Sequence, residues 1–311
     1  MSQSHADRPP SRIDHPAAWT GCRIKAKPER WTGQLHETEI AELEDAAARY
    51  LDGDGDLGEM AAETFQLPGL APKLADLRTE LMQGVGFRLI RGLPVERYDM
   101  QTAAAIFCGI GAHLGAARSQ NAKGHILGHV TDVGADLSDP KVRIYQTTRR
   151  QTFHTDSTDV VGLMCLRPAM DGGDSLLVST LTLYNEMQAR HPDLAGALFD
   201  PVATDRRGEV PPGADPFFSI PVLNWFDGAL TVIYQRQYIE SAQRFPDAPR
   251  LTDRQIAALE SGAKIWVGNF SLPGPTHRLY RGEPTAKREI AGYLQVDPYT
   301  ENQVLQMKLA D

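Results

Sequence analysis

Apolar residues recur at helical spacing from Glu37 to Leu51, at Ile40, Leu43, Ala46 to Ala48 and Leu51, with acidic residues near the start where the helix dipole favours them. Asp52-Gly53-Asp54-Gly55-Asp56 breaks that helix. The run lacks the downstream glutamate of a calcium loop, so it reads as a solvated turn. A second helix is predicted over 70–83, ended by Gly84-Val85-Gly86 ahead of a strand at Phe87-Arg88-Leu89-Ile90. Asp99 is placed to cap a third helix running to Ala112, whose apolar content suits it to cover a sheet.

Further along, Val142 to Tyr145 alternates as a strand should, and Val160 to Leu166 reads as a buried strand. Gly172-Gly173-Asp174-Ser175 is a turn before a strand at Leu176 to Ser179, and a helix from Tyr184 to Leu198 is interrupted at His191-Pro192. Asp205 to Glu209, followed by Pro211-Pro212-Gly213, is a charged, turn-rich insertion of the kind that carries lids in enzymes. Asp227-Gly228, between apolar runs at Ile220 to Leu223 and Leu230 to Tyr234, is the strongest hairpin signal in the chain.

At 311 residues the chain is long enough for one large β-rich domain over 29–311, with a loosely ordered or surface-wrapping segment over 1–28. Lys plus Arg at 32 against Asp plus Glu at 40 leaves a net charge of −8, so no positive excess is available to neutralise a nucleic-acid backbone. No window approaches a membrane span, and the N-terminus carries no apolar signal core, which points to a cytoplasmic protein. Cys22, Cys108 and Cys165 are scattered and odd in number, so they read as small hydrophobes in a reducing compartment rather than as a disulfide framework. A homo-oligomer is compatible with all of this.

Candidate chemistry centres on Phe153-His154-Thr155-Asp156-Ser157. On a strand, His154 and Asp156 point to one side and Thr155 to the other, so an imidazole and a carboxylate could share a metal ion. A redox iron held by two histidines and one carboxylate keeps three positions open, which requires a second histidine far along the chain. Taken alone the motif is weak, since a histidine beside an aspartate is usually just a hydrogen-bonded pair on a strand edge. His125 and His129, four apart but flanked by Gly124 and Gly128, read as structural. Arg149-Arg150 just ahead of the motif reads equally as an anion clamp or an exposed basic loop.

The His154-Thr155-Asp156 and 172–175 motifs resemble the taurine dioxygenase-like (TauD/TfdA) family of iron(II)/2-oxoglutarate oxygenases. Two upstream blocks, Gly86 to Pro94 and Ser119-Gln120-Asn121-Ala122-Lys123-Gly124, and the stretch Tyr234 to Phe245 extend the resemblance over about 80–250. It implies a double-stranded β-helix, or jelly roll, with flanking helices and a metal at its mouth. It also implies iron(II) on His154, Asp156 and a distal histidine, with 2-oxoglutarate as cosubstrate and oxygen as co-reactant. His277 is the only histidine after 191, and Arg288 follows it at the interval of the family's 2-oxoglutarate arginine. Ser175 and Arg288 are then expected to hold the far carboxylate of 2-oxoglutarate, and Asn121, Lys123, Arg149, Arg150 and Arg236 to contact a small anionic or zwitterionic substrate.

From about 261 the chain departs from the family pattern. The Pro-Gly-Pro context at 273–275 favours a turn, Gly292 stands where relatives often carry a further arginine, and a second alignment puts Gly274 at the ligand position. Two readings stay open at this point: an oxygenase with a complete triad, or a catalytically impaired metal- or ligand-binding homologue without one.

Overall fold

A computed structural model describes residues 9–120, 124–136, 139, 142, 144–147, 149, 151–167, 175–265, 270–271 and 303–310. From residue 9 the N-terminal segment wraps the surface rather than lying loose. The Tyr184 hydroxyl donates to Pro10 O, Ile13 exchanges two hydrogen bonds with the Asn185 amide, and Trp19 Nε1 donates to Val85 O at 2.9 Å. Helix α1 (Gly21–Lys25) follows, then strand β1 (Thr32–Gln34).

Helix α2 (Glu37–Asp52) forms where the periodicity places it; Glu39 in its first turn accepts a hydrogen bond from His36 N at 2.8 Å. Helix α3 (Ala71–Gln83) leads to β2 (Leu89–Arg91), a strand displaced from the predicted Phe87 to Ile90 because it runs parallel to β1 in the register Thr32 to Leu89. Asp99 caps α4 (Met100–Ala112) as predicted, its Oδ1 accepting from Thr102 N at 2.7 Å. Leu43 on α2 and Ile106 on α4 are fully buried with Phe65, Leu67 and Leu70 in a first core. Each such side chain contributes about 1.5–3 kcal/mol over an exposed one.

Strands β3 (Ala116–Arg118), β4 (Leu127–Val130) and β5 (Val160–Arg167) follow. Among the described residues of the strand predicted over Val142 to Tyr145 none is in a strand: Ile144–Gln146 is a short 3-10 turn, closed by Thr147 N and Thr147 Oγ1 onto Ile144 O. A hydroxyl that captures the carbonyl three residues back competes with the ladder that alternation alone would suggest. After β6 (Leu176–Leu177), Ser179 caps α5 (Thr180–Arg190), and the break at His191 before Pro192 starts α6 (Pro192–Ala197). The helix thus begins earlier, and the strand ends sooner, than the periodicity indicates.

Strands β7 (Pro201–Asp205) and β8 (Phe217–Pro221) pair antiparallel, so the charged insertion is the loop between them. Strands β9 (Leu223–Phe226) and β10 (Ala229–Val232) make the predicted hairpin, with Asp227 and Gly228 at φ 48° and 75° in its turn. Helices α7 (Arg236–Ala242) and α8 (Asp253–Ile265) and strand β11 (Phe270–Ser271), which pairs with β6, complete this half around a second core of Phe153, Leu183, Tyr184, Met187, Val202, Leu223, Tyr234 and Ile239.

The last strand, β12 (Gln303–Ala310), which no pattern singled out, is antiparallel to β5 along one side and to β3 and β4 along the other. Its Met307 and Leu309 are buried in the first core. The described residues are a mixed assembly of helices and small sheets, with the segment 153–157 between the two cores. Among them no helix is long and apolar enough to cross a membrane. Cys108 is buried on α4, where loss of solvent pushes its thiol up to about 12, and Cys22 is exposed.

Candidate metal centre

The motif alternates as a strand does. Phe153 and Thr155 are both 2% exposed, whereas His154 and Asp156 are half-buried on the opposite side. Thr155 fixes the register: its N–H donates to Tyr234 O at 2.8 Å and its Oγ1 accepts from Tyr234 N at 2.7 Å, while His154 bridges Gln235. Phe153 anchors one end in the second core. Thr158 Oγ1 and Asp159 N, both donating to Leu309 O, tie the other end to β12.

His154 and Asp156 open onto a cavity of about 750 Å³, a size suited to a small-molecule site. Its walls come from β3, β4 and β12 on one side and from β7, β8 and the start of α7 on the other. His154 Nδ1 lies 2.8 Å from Thr152 O. A carbonyl can only accept, so in the neutral ring Nδ1 carries the proton, which leaves the Nε2 lone pair for a metal. Asp156 Oδ1 lies 3.2 Å from Lys308 Nζ, and Oδ2 accepts from Gln306 Nε2 at 3.4 Å. Carboxylate oxygens hold two lone pairs each, so capacity for a metal remains. One imidazole nitrogen and one carboxylate on the same side of an extended segment fit a first-row divalent ion. Among the described residues no third His, Cys, Asp or Glu joins them.

The other predicted residues are distributed as follows. His277 and Arg288 lie outside the described residues, as do Asn121, Lys123 and Arg150. Gln120 and His125, which flank the 121–123 segment, both line the cavity and are joined by a hydrogen bond from Gln120 N to His125 O. Ser175 is half-buried just before β6 and is not part of the cavity lining. Arg149 is exposed outside that lining, and Arg236 pairs with Glu240 one turn along α7 at 2.6 Å.

Residues 49–264 match the family described as Taurine catabolism dioxygenase TauD, TfdA family. The chain belongs to this family. Among its TauD/TfdA relatives, FR-33289 synthase of Streptomyces rubellomurinus is 29% identical over 206 residues, covering 66% of this chain and 61% of that protein. The taurine hydroxylase-like protein SAT17 of Stachybotrys chartarum is 29% identical over 242 residues, covering 76% and 62%. The match thus spans about three fifths of each relative's own length. In fold, the chain is similar to the non-heme iron oxygenase OrfP in complex with Fe and alpha-ketoglutaric acid, with a TM-score of 0.61, 12% identity and coverage of 90% and 93%. Asparagine oxygenase in complex with Fe(II), 3-hydroxyasparagine and succinate gives a TM-score of 0.59 at 16% identity, with the same coverage.

Several cavity residues escaped the sequence reading. Gln151, Gln306, Lys308, Arg118 and Arg206 all line it, and so do His125 and His129, whose glycine-flanked context reads as structural. The alternation of Gln306 and Lys308 with Met307 and Leu309 is a signal that could have revealed the last strand.

Proposed function

We propose that this chain is an iron(II)- and 2-oxoglutarate-dependent dioxygenase acting on a small anionic or zwitterionic metabolite. The observation that carries the reading is the placement of His154 and Asp156 on one side of an extended segment, opening into the cavity, in a chain of the TauD/TfdA family. Bound iron with 2-oxoglutarate would supply activation of dioxygen for oxidation of a substrate C–H bond, with release of succinate and carbon dioxide. The protein's part is to hold and orient. Thr152 O fixes the His154 tautomer, and the Thr155–Tyr234 pair fixes the segment that presents both ligands.

His277 is proposed as the third ligand, with Arg288 and Ser175 holding the far carboxylate of 2-oxoglutarate, the arginine through a charge-assisted fork. A double-stranded β-helix would bring these positions to one mouth, and the central place of β12 between β5 and the β3 and β4 strands supports such a closed arrangement. Arg118, Arg206 and Lys308 in the lining support an anionic or zwitterionic substrate, alongside the proposed contacts from Asn121, Lys123, Arg149, Arg150 and Arg236. The proposal places the enzyme in the cytoplasm. Iron-dependent conversion of 2-oxoglutarate to succinate by the purified protein tests it: production above the metal-free control supports the reading, and binding of both ligands without any turnover assigns the chain to the impaired homologues instead.

A further inference from the structure

Both carboxylate oxygens of Asp156 are engaged by β12. Met307 and Leu309 are 2% and 1% exposed in the core, so the intervening Gln306 and Lys308 face the other way, into the cavity. There Lys308 Nζ lies 3.2 Å from Asp156 Oδ1; the two side chains keep 24% and 12% of their exposure. In the register of β12 on β3, Lys308 stands directly opposite Arg118, which also lines the cavity and has no acidic partner among the described residues. Like charges in directly opposed positions repel, and Asp156 answers only one of this pair.

A divalent cation on the same carboxylate and the ammonium are rivals, because two positive charges within a few ångströms repel strongly in a half-buried site. A cation that wins Asp156 pushes the ammonium away from it, toward the guanidinium across the strand pair. We propose that Asp156 and Lys308 form an exchangeable ion pair: the metal takes the carboxylate, an anionic group in the cavity takes the ammonium together with Arg118, and each ligand promotes the other. The inference rests on the metal reading of Asp156 given above. Coupling of this kind is reciprocal, so it can be read from the metal side alone.

The test is Mn(II) affinity, from the electron paramagnetic resonance signal of the free ion, with sulfate as the anionic probe at matched ionic strength. Lys308→Met and Lys308→Gln should each tighten Mn(II) about two- to fivefold, the range of a partly exposed ion pair, and Lys308→Arg should stay near wild type. Sulfate should tighten Mn(II) in the wild-type protein and not in Lys308→Met. If 2-oxoglutarate supplies the anionic group, saturating 2-oxoglutarate abolishes the sulfate effect; if the site is kept for the substrate, the effect persists. An Mn(II) affinity unchanged or weakened in both neutral variants overturns the exchange, as does a sulfate response that is absent from wild type or survives in Lys308→Met. Failure of wild type and variants alike to take up Mn(II) overturns the metal reading itself, and the exchange with it.

Discussion

Asp205 is 1% exposed at the end of β7, where its carboxylate accepts from Ser241 Oγ at 2.6 Å and from Arg207 N at 2.8 Å, and pairs with Arg244. Burial alone would raise its pKa, but the Arg244 guanidinium, the Ser241 hydroxyl and the Arg207 amide outweigh that and hold it below the ordinary value. A depressed folded pKa stabilises the protein above the unfolded value, about 4, and that contribution is lost as pH falls through the folded value. Asp205→Asn should therefore cost about 1–3 kcal/mol at neutral pH and flatten the acid limb of a plot of melting temperature against pH. An acid limb as steep as in wild type would contradict the assignment. Little of this was legible locally, since Asp205 reads as part of a charged loop and its side-chain partners Ser241 and Arg244 lie more than thirty residues on. That His154 and Asp156 face the same side was legible, because a period of two along extended backbone needs no distant partner. His154→Ala or Asp156→Ala is expected to abolish iron-dependent succinate formation while leaving thermal melting near wild type, and full turnover in either would remove the metal assignment.

Elements with their own start and stop chemistry were read correctly from sequence. Asp99 before α4 and Asp227-Gly228 in the β9–β10 turn are examples, each fixed by a local cap or a positive φ. Short strands defined by distant partners were not: β1 exists through β2, and β12 through β3, β4 and β5. The Val142 to Tyr145 alternation misled because Thr147 closes a turn onto Ile144. Strand β12 also carries a steric test. A Cβ added at Gly115 would sit 2.4 Å from the Ala310 carbonyl oxygen, a backbone atom that cannot rotate aside. Gly115→Ala should cost about 1–3 kcal/mol as overpacking, seen as a lowered urea midpoint and faster amide exchange in 303–310. Unchanged protection there would show that the strand end tolerates the shift.

Across the whole molecule, the segment that presents His154 and Asp156 is anchored in the second core by Phe153 and tied to Leu309 of the first core through Thr158 and Asp159. Helices α2, α3 and α4 back the first, where β5 and β12 contribute Met164 and Met307; α5 and α7 back the second, where Phe153 sits. The site is thus placed by packing on both sides, while the motif pair comes from five consecutive residues. Arg288→Ala should weaken 2-oxoglutarate binding severely and Ser175→Ala modestly, since a charge-assisted pair is worth about twice a neutral hydrogen bond; equal affinities in wild type and Arg288→Ala would detach the C-terminal segment from the site. The central claim is that this chain assembles an iron(II) chelate of 2-oxoglutarate on His154 and Asp156. Anaerobic addition of iron(II) and then 2-oxoglutarate, followed by visible absorption, addresses it most directly. The account predicts a charge-transfer band that saturates with one equivalent of each and is missing from Asp156→Ala, whereas a wild-type protein that shows no band at saturating iron and 2-oxoglutarate would contradict it.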